Sequence, residues 1–178
     1  MFPTTWRTPL TTPSTSDLYD TYGDQLQSCD VQMRQFGGTT HFSGEIATFR
    51  SEEDNLILKS ILAEPGHGRV IVIDTRGSLR VAMLGDNMAA AAARNGWAGI
   101  IVNGSIRDVA ALRTLPIGIK ALGSNPRRSR KEGTGERDIP LTFGGVTFVP
   151  GQRLVSDEDG IVILPAGEVF LRYADGGG

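Results

Sequence analysis

A single cysteine, Cys29, stands among 178 residues, which excludes an internal disulfide. With no paired Cys or Cys/His spacing, a closed structural zinc site is excluded as well. A reducing, cytoplasmic setting is the expectation. Charge of one sign is also lacking: Lys+Arg 18 against Asp+Glu 20 leave a formal net charge of -2. No global field therefore draws the chain toward RNA or an acidic membrane surface, and direct binding to nucleic acid or membrane is not expected. No apolar run approaches membrane-spanning length, and Met1 to Thr15, rich in Thr, Pro and Ser, lacks the apolar stretch of a secretory signal. No internal repeat is visible.

What is present is enough chain for one domain with a real core. A flexible arm over residues 1–14 and one domain over 15–178 are expected. Ser14 or Ser16 suits the cap of a short helix through Asp17-Leu18-Tyr19-Asp20, which Gly23 ends. Residues 45–50 read as a strand, and 52–62, with Leu56, Ile57, Ile61 and Leu62 at helical spacing, as an amphipathic helix stopped by Pro65-Gly66. The β-branched run Val70-Ile71-Val72-Ile73 suits a strand buried on both faces. A second strand over 79–84 leads through Gly85-Asp86-Asn87 into an alanine-rich helix closed by Asn95-Gly96. A third strand over 98–102 leads past Gly104 into a helix over 108–115. From Ile117 onward short strands dominate (119–122, 141–143, 146–149 and 161–164), so the chain reads as α/β with a β layer packed beside the helices. The polar stretch 124–138, with Arg127, Arg128, Arg130 and Lys131, reads as an exposed, mobile loop.

Two strand ends converge on candidate chemistry. One delivers Gly85-Asp86-Asn87 to a helix start, and the other delivers Gly104, Arg107 and Asp108 to the next. Ligands of α/β proteins collect beyond the carboxyl ends of strands, where helix N-termini offer unpaired N–H groups to an anion. Gly85 lets backbone approach such a guest, and Arg107 supplies a planar two-donor clamp suited to a carboxylate. Asp108 is then left for Mg²⁺ or Mn²⁺, hard ions that keep waters and take further oxygens from substrate. Each piece also has a local explanation, and spacing alone favours it: Asp86 and Asp108 as helix caps, Arg107 as the partner of a neighbouring carboxylate.

The combination Gly85-Asp86-Asn87-Met88 followed by Gly104-Ser105-Ile106-Arg107-Asp108 resembles the RraA-like family, whose aldolase members share an acid separated by twenty residues from an Arg-Asp pair. The similarity runs on through Phe36-Gly37-Gly38, Ile117-Gly118-Ile119-Lys120-Ala121 and Phe143-Gly144-Gly145-Val146-Thr147-Phe148 to Asp159-Gly160. It implies a swivelling three-layer β/β/α fold, a homotrimer with sites near subunit boundaries, and either of two activities. Enzymatic members cleave 4-hydroxy-4-methyl-2-oxoglutarate to two pyruvates and decarboxylate oxaloacetate, using a divalent metal and a shared pyruvate enolate. Carried onto this chain, Asp108 is the metal ligand, Arg107 and the backbone at Gly85, Asp86, Asn87 and Met88 hold the pyruvyl unit, and Asp86 orients or binds through water. One departure is Ala111, where some active members have an acidic residue, so the proton acceptor is unassigned.

The namesake regulator of the family instead inhibits the endonuclease RNase E by protein contact, and its resemblance at Gly85-Asp86 is poorer. The complete set Gly85, Asp86, Arg107 and Asp108 favours an enzyme over a pure inhibitor. A methyltransferase label attached to such sequences finds no dinucleotide-type glycine loop with an acidic residue at suitable spacing. Residues 127–131 carry no interleaved aromatic and read as solvated rather than RNA-binding. His41 and His67 fall in separate turns, Cys29 reads as a packed thiol, Trp97 as packing, and Asp157-Glu158-Asp159-Gly160 as a hairpin connection rather than a Ca²⁺ loop.

Overall fold

The computed structural model describes residues 12–167; residues 1–11 of the expected arm and 168–178 of the expected domain lie outside them. The first part of the chain holds α1 (Thr15–Tyr22), β1 (Gln27–Ser28), β2 (Arg34–Gln35), β3 (Phe42–Arg50) and α2 (Leu56–Ala63). Next come β4 (Val70–Asp74), β5 (Ala82–Leu84), α3 (Asp86–Arg94), β6 (Gly99–Ile106), α4 (Val109–Leu112) and β7 (Gly118–Ser124). The last part is all strand: β8 (Glu136–Arg137), β9 (Leu141–Phe143), β10 (Val146–Phe148), β11 (Arg153–Ser156) and β12 (Ile161–Ile163).

Strands β3, β4, β6 and β7 lie parallel and adjacent, with β5 pairing the carboxyl end of β6. Strand β3 is long enough to serve two partners. Its first half, from Phe42 to Glu45, pairs antiparallel with β11, and its second half, from Ile46 to Arg50, pairs parallel with β4. Beyond β11 the sheet continues through β12 to β1, and β9 and β10 form a separate hairpin.

The period-two alternation of a strand sends successive side chains to opposite faces, and here both faces are apolar. Ile71, Ile73, Ile100 and Val102 pack with Leu58, Ile61 and Leu62 of α2 and Ala89 and Ala92 of α3. Val70, Val72 and Ile101 pack on the opposite face with Phe148, Leu154, Ile161 and Ile163. Each buried Val, Leu, Ile or Phe side chain contributes about 1.5–3 kcal/mol relative to exposure. The result is helices, central sheet and a second β layer, as the resemblance implies. Close approach between the layers depends on paired Gly99 and Gly118, whose missing Cβ positions are filled by the ring of Phe42.

Several expected boundaries move, each for a local reason. The helix expected over 52–62 starts only at Leu56, because Glu53 adopts a left-handed φ of 62° and Asp54 accepts from the Leu56 N–H at 3.0 Å. The strand expected over 79–84 is cut to Ala82–Leu84; Leu79 points to solvent, and Ser78 and Arg80 instead bind Glu53. The helix expected over 108–115 is a single turn of four residues, Val109–Leu112, entered through a left-handed Asp108. Ser14, of the two capping candidates, accepts from the Asp17 N–H at 3.1 Å and opens α1.

The largest correction concerns residues 124–138. They are exposed along most of their length, as expected, yet they are fastened to the body of the protein. Ala82 N–H donates to Arg127 O at 2.8 Å, Ser129 Oγ donates to Ala82 O at 2.7 Å, and Arg130 N–H donates to Glu53 O at 2.8 Å. Fully buried Asp54 accepts from the Glu132 N–H at 2.7 Å, the Gly133 N–H at 3.0 Å and the Thr134 hydroxyl. A carboxylate can accept several donors at once, so one side chain both caps α2 and anchors the segment.

Burial raises the Asp54 pKa, but the N–H groups of Leu56, Glu132, Thr134 and Gly133 outweigh it and hold the carboxyl below its ordinary value. Asp157 is lowered in the same way, by Thr15, Asp159 and Gly160 against burial. A depressed folded pKa contributes stability present above the unfolded value of about 3.9 and lost as pH falls through the folded value. Urea midpoints are therefore expected to drop as pH falls below about 4, and Asp54→Asn to lower stability by about 1.5–3 kcal/mol near pH 6 while flattening that acid drop. An acid limb as steep in the variant as in the parent would show that Asp54 does not carry it.

Candidate functional site

Strand β5 ends at Leu84 and β6 at Ile106, and the next backbone N–H, that of Arg107, donates to Leu84 O at 2.9 Å. This bond holds the two strand ends side by side, so the residues after each of them share one space. Gly85 occupies the N-cap position of α3, and Asp86 is its first residue. Asp108 has a left-handed backbone with φ 61°, a conformation that aspartate tolerates better than most residues, and one often found at functional positions.

That backbone turns the Asp108 carboxylate away from its own helix. Its Oδ2 accepts from the Asp86 N–H at 3.0 Å, at the positive end of α3, and lies 3.7 Å from Arg107 Nε. Asp86 Oδ1 accepts from the Asn87 N–H at 2.7 Å. The local expectation that each aspartate caps the helix it opens is thus corrected for both: Gly85 and not Asp86 is the N-cap of α3, and Asp108, at the N-cap position of α4, gives its carboxylate to the neighbouring helix instead. The expectation that Arg107 has a carboxylate neighbour is met by Asp108. With four residues, α4 is too short for its N-terminus to hold an anion, so α3 is the relevant helix.

Gly85, Asp86, Asn87, Met88, Arg107 and Asp108 all line one cavity of about 270 Å³. The close packing explains the glycine: a Cβ at position 85 would stand 2.7 Å from Asp108 Oδ2 and 3.4 Å from Arg107 Nε. Both charged side chains are about one-third exposed, so they are reachable by a ligand while remaining constrained. Among the described residues no group of three or more His, Cys, Asp or Glu is arranged to hold a metal. A cation here would rest on Asp108, with Asp86 alongside, and complete its shell with water and ligand oxygens, which suits Mg²⁺ or Mn²⁺.

The cavity has a second side that sequence reasoning missed. Asn55, Lys59, Arg128, Ser129 and Lys131 line it there, with Ala82 and Leu84 of β5 between the two sides. Asn55 is fixed by donating to Met83 O at 3.2 Å, and Ser129 is buried against β5. The available signal was position: the basic run comes after β7, the next strand along from β6, so it leaves the sheet at the same end as Arg107.

The remaining candidates stay apart from this site. Cys29 is buried, which pushes its thiol pKa up and makes it a packed group. Trp97 is buried and its Nε1 donates to Glu64 O at 3.2 Å. Residues 157–160 connect β11 to β12, with Asp157 Oδ1 accepting from the Asp159 N–H at 3.0 Å. His41 lies beside that turn and His67 lies near Arg69 and Arg153, each in a different hollow from Arg107.

A family model described as RraA-like, Aldolase/RraA, matches residues 12–163. The structure described as the RNA-processing inhibitor RraA from Thermus thermophilus is 42% identical, with a TM-score of 0.86, over 91% of this chain and 98% of that one. The structure described as an S-adenosylmethionine:2-dimethylmenaquinone methyltransferase from Geobacillus kaustophilus is also 42% identical, with a TM-score of 0.84, over 93% of this chain and 100% of that one. An unusual member of the RNase ES inhibitor RraA protein family from Streptomyces coelicolor is 26% identical, with a TM-score of 0.71, over 90% of this chain and 85% of that one. The match of family model, three-layer fold and overall length places this chain in the RraA-like, Aldolase/RraA family.

Proposed function

We propose that the protein is a divalent-metal-dependent lyase that cleaves 4-hydroxy-4-methyl-2-oxoglutarate to two pyruvates and decarboxylates oxaloacetate through the same pyruvate enolate. The observation that carries this reading is the meeting of Arg107, Asp108 and the Cβ-free Gly85 in one cavity beyond two parallel strand ends. Asp108 would hold the ion, and Mg²⁺ or Mn²⁺ bound there supplies Lewis-acid stabilisation of the enolate oxygen.

The protein's own groups do the rest. Arg107 clamps the 2-oxo acid carboxylate with two parallel donors and adds positive charge where the enolate develops. Gly85 gives the ligand access to backbone at the start of α3, where Asn87 and Met88 also line the cavity. Asp108, whose Oδ2 accepts from the Asp86 N–H, would hold the ion, and the Asp86 N–H at the start of α3 would be a donor for the anionic ligand. Asp86 orients water or substrate from the cavity wall. Ala111 carries no acid, and the proton acceptor is left to a group other than these, including one a neighbouring subunit of a homotrimer would supply.

A second reading is favoured by the descriptions of two similar structures as RNA-processing and RNase ES inhibitors. In it the chain binds RNase E and moderates RNA turnover by protein contact. The two readings differ in their need for the cavity, because an inhibitor acting by surface contact has no use for Arg107 and Asp108 together.

The test is pyruvate release from both substrates by EDTA-stripped protein, with and without Mg²⁺ or Mn²⁺, after subtraction of the metal-only rate. Metal-dependent turnover is expected, with Asp108→Ala and Arg107→Ala each lowering kcat/KM by at least about 100-fold. Rates no better than free metal would reject the lyase reading for these substrates and put RNase E inhibition first.

Gly85→Ala gives a sharper check. Its backbone φ of -130° suits alanine, so the fold should survive, with a thermal midpoint within a few degrees of the parent. The added methyl displaces the Asp108 carboxylate, and turnover is expected to fall at least about tenfold. Full activity in this variant would separate Asp108 from the reaction. Light scattering is expected to show a species three times the 19.1 kDa of one chain, and a monomer would remove the neighbouring subunit from the account.

A further inference from the structure

Among the described residues, the cations around the cavity fall into two kinds. Arg107 lies 3.7 Å from Asp108, and the nearby Arg76, Arg80 and Arg130 pair with Glu52, Glu53 and Glu132. Lys59, Arg128 and Lys131 line the same cavity and make no ion pair with a carboxylate among the described residues. Both acidic residues of the lining, Asp86 and Asp108, stand at the Arg107 end. The cavity therefore has a balanced end and an end with positive charge to spare.

We propose that Lys59, Arg128 and Lys131 form a second anion subsite that holds the far carboxylate of a dicarboxylic 2-oxo acid, and that Asp54 is the positioning residue for it. This rests on the lyase reading for the identity of the near end, where Arg107 takes the 2-oxo acid carboxylate. The subsite is built rather than incidental. Arg128 bridges to Ala82 of β5, two residues before Leu84, and its neighbour Ser129 is buried and bonded to Ala82 O. Lys131 lies between Arg130, whose N–H and C=O bond Glu53 O and Asn55 N–H, and Glu132, whose N–H bonds Asp54. Lys59 stands on α2, whose first N–H is capped by the same Asp54. One buried carboxylate thus sets the separation between the segment that carries Arg128 and Lys131 and the helix that carries Lys59. A substrate with a charge at each end spans the two subsites, and a monocarboxylic 2-oxo acid leaves the second unsatisfied, which is a physical basis for selecting dianions.

The experiment is calorimetric titration of the full chain, in Mg²⁺, with 2-oxoglutarate as a dianion, 2-oxobutyrate as a monoanion and oxalate as a probe of the Arg107 end. The parent is expected to bind 2-oxoglutarate at least about tenfold tighter than 2-oxobutyrate. Lys59→Gln, Arg128→Gln and Lys131→Gln should each reduce that ratio, and the triple variant should erase it with oxalate affinity unchanged. Asp54→Asn is expected to lose the same preference while keeping oxalate binding; if it does not fold, Glu132→Pro removes the same anchor from the segment side. No preference in the parent, no binding of either 2-oxo acid, or a preference that survives in the triple variant would overturn the subsite. Selective binding of 2-oxoglutarate without turnover of oxaloacetate would instead reject the lyase reading and leave the subsite standing. Turnover with a KM for oxaloacetate that the triple variant does not change would do the reverse.

Discussion

The inner strands β4 and β6 are apolar on both faces over Val70-Ile71-Val72-Ile73 and Ile100-Ile101-Val102, and that constraint governs where the polar groups around them stand. Val70 and Val72 face the β layer while Ile71 and Ile73 face the helices, and neither side admits a charged group without a large desolvation cost. Buried Lys120 of β7 and Thr48 of β3 donate to the backbone carbonyls of Gly160 and Ile139, and the polar side chains of β4 and β6 stand toward the carboxyl ends of those strands. At the carboxyl end the chain then uses backbone bonds to bring unlike segments into register: Arg107 N–H to Leu84 O joins the exits of β6 and β5, and Ala82 N–H to Arg127 O adds the segment after β7. The cavity is the space those bonds enclose.

The layers and the site core were legible in the sequence for the same reason. A β-branched run such as Val70-Ile71-Val72-Ile73 is visible as a doubly buried strand, Gly85-Asp86 comes directly after the short apolar strand Ala82-Met83-Leu84, and Arg107-Asp108 comes directly after β6, whose Ile100-Ile101-Val102 is the legible part. A residue at the exit of a buried strand inherits its position from the sheet, so residues distant in sequence were correctly expected in one place. The boundaries that moved lie where side chains override periodicity. Asp54, which the helical pattern placed inside the helix, lies ahead of it and accepts from its first N–H, that of Leu56, and Glu53 leaves the helical region altogether.

The segment at 124–138 was illegible for a different reason. Its composition is that of a solvated loop, and its side chains apart from Ser129 are mostly exposed, but its backbone is held by partners far away in sequence. Asp54 lies 78 residues from Glu132, and Ser129 lies 47 from Ala82. No local pattern records such contacts. Exposure and attachment are separate properties, and only the first can be read from polarity.

Charge balance ties the two ends of the cavity together. At the Arg107 end the carboxylates of Asp108 and Asp86 sit against arginine and against the N-terminal amides of α3, so that end is self-compensated in the absence of a ligand. Under the proposed function, a cation and an anion arriving together would disturb that balance less than either one alone. Asp108 would then hold the ion, while Arg107 and the Asp86 N–H, its present partners, would donate to the 2-oxo acid carboxylate. Under the proposed function, binding of metal and of substrate is therefore mutually reinforcing, and by linkage each raises the affinity for the other by the same factor. An inhibitor surface would have no need of such a reciprocal arrangement, which is the physical reason for placing the enzyme reading first.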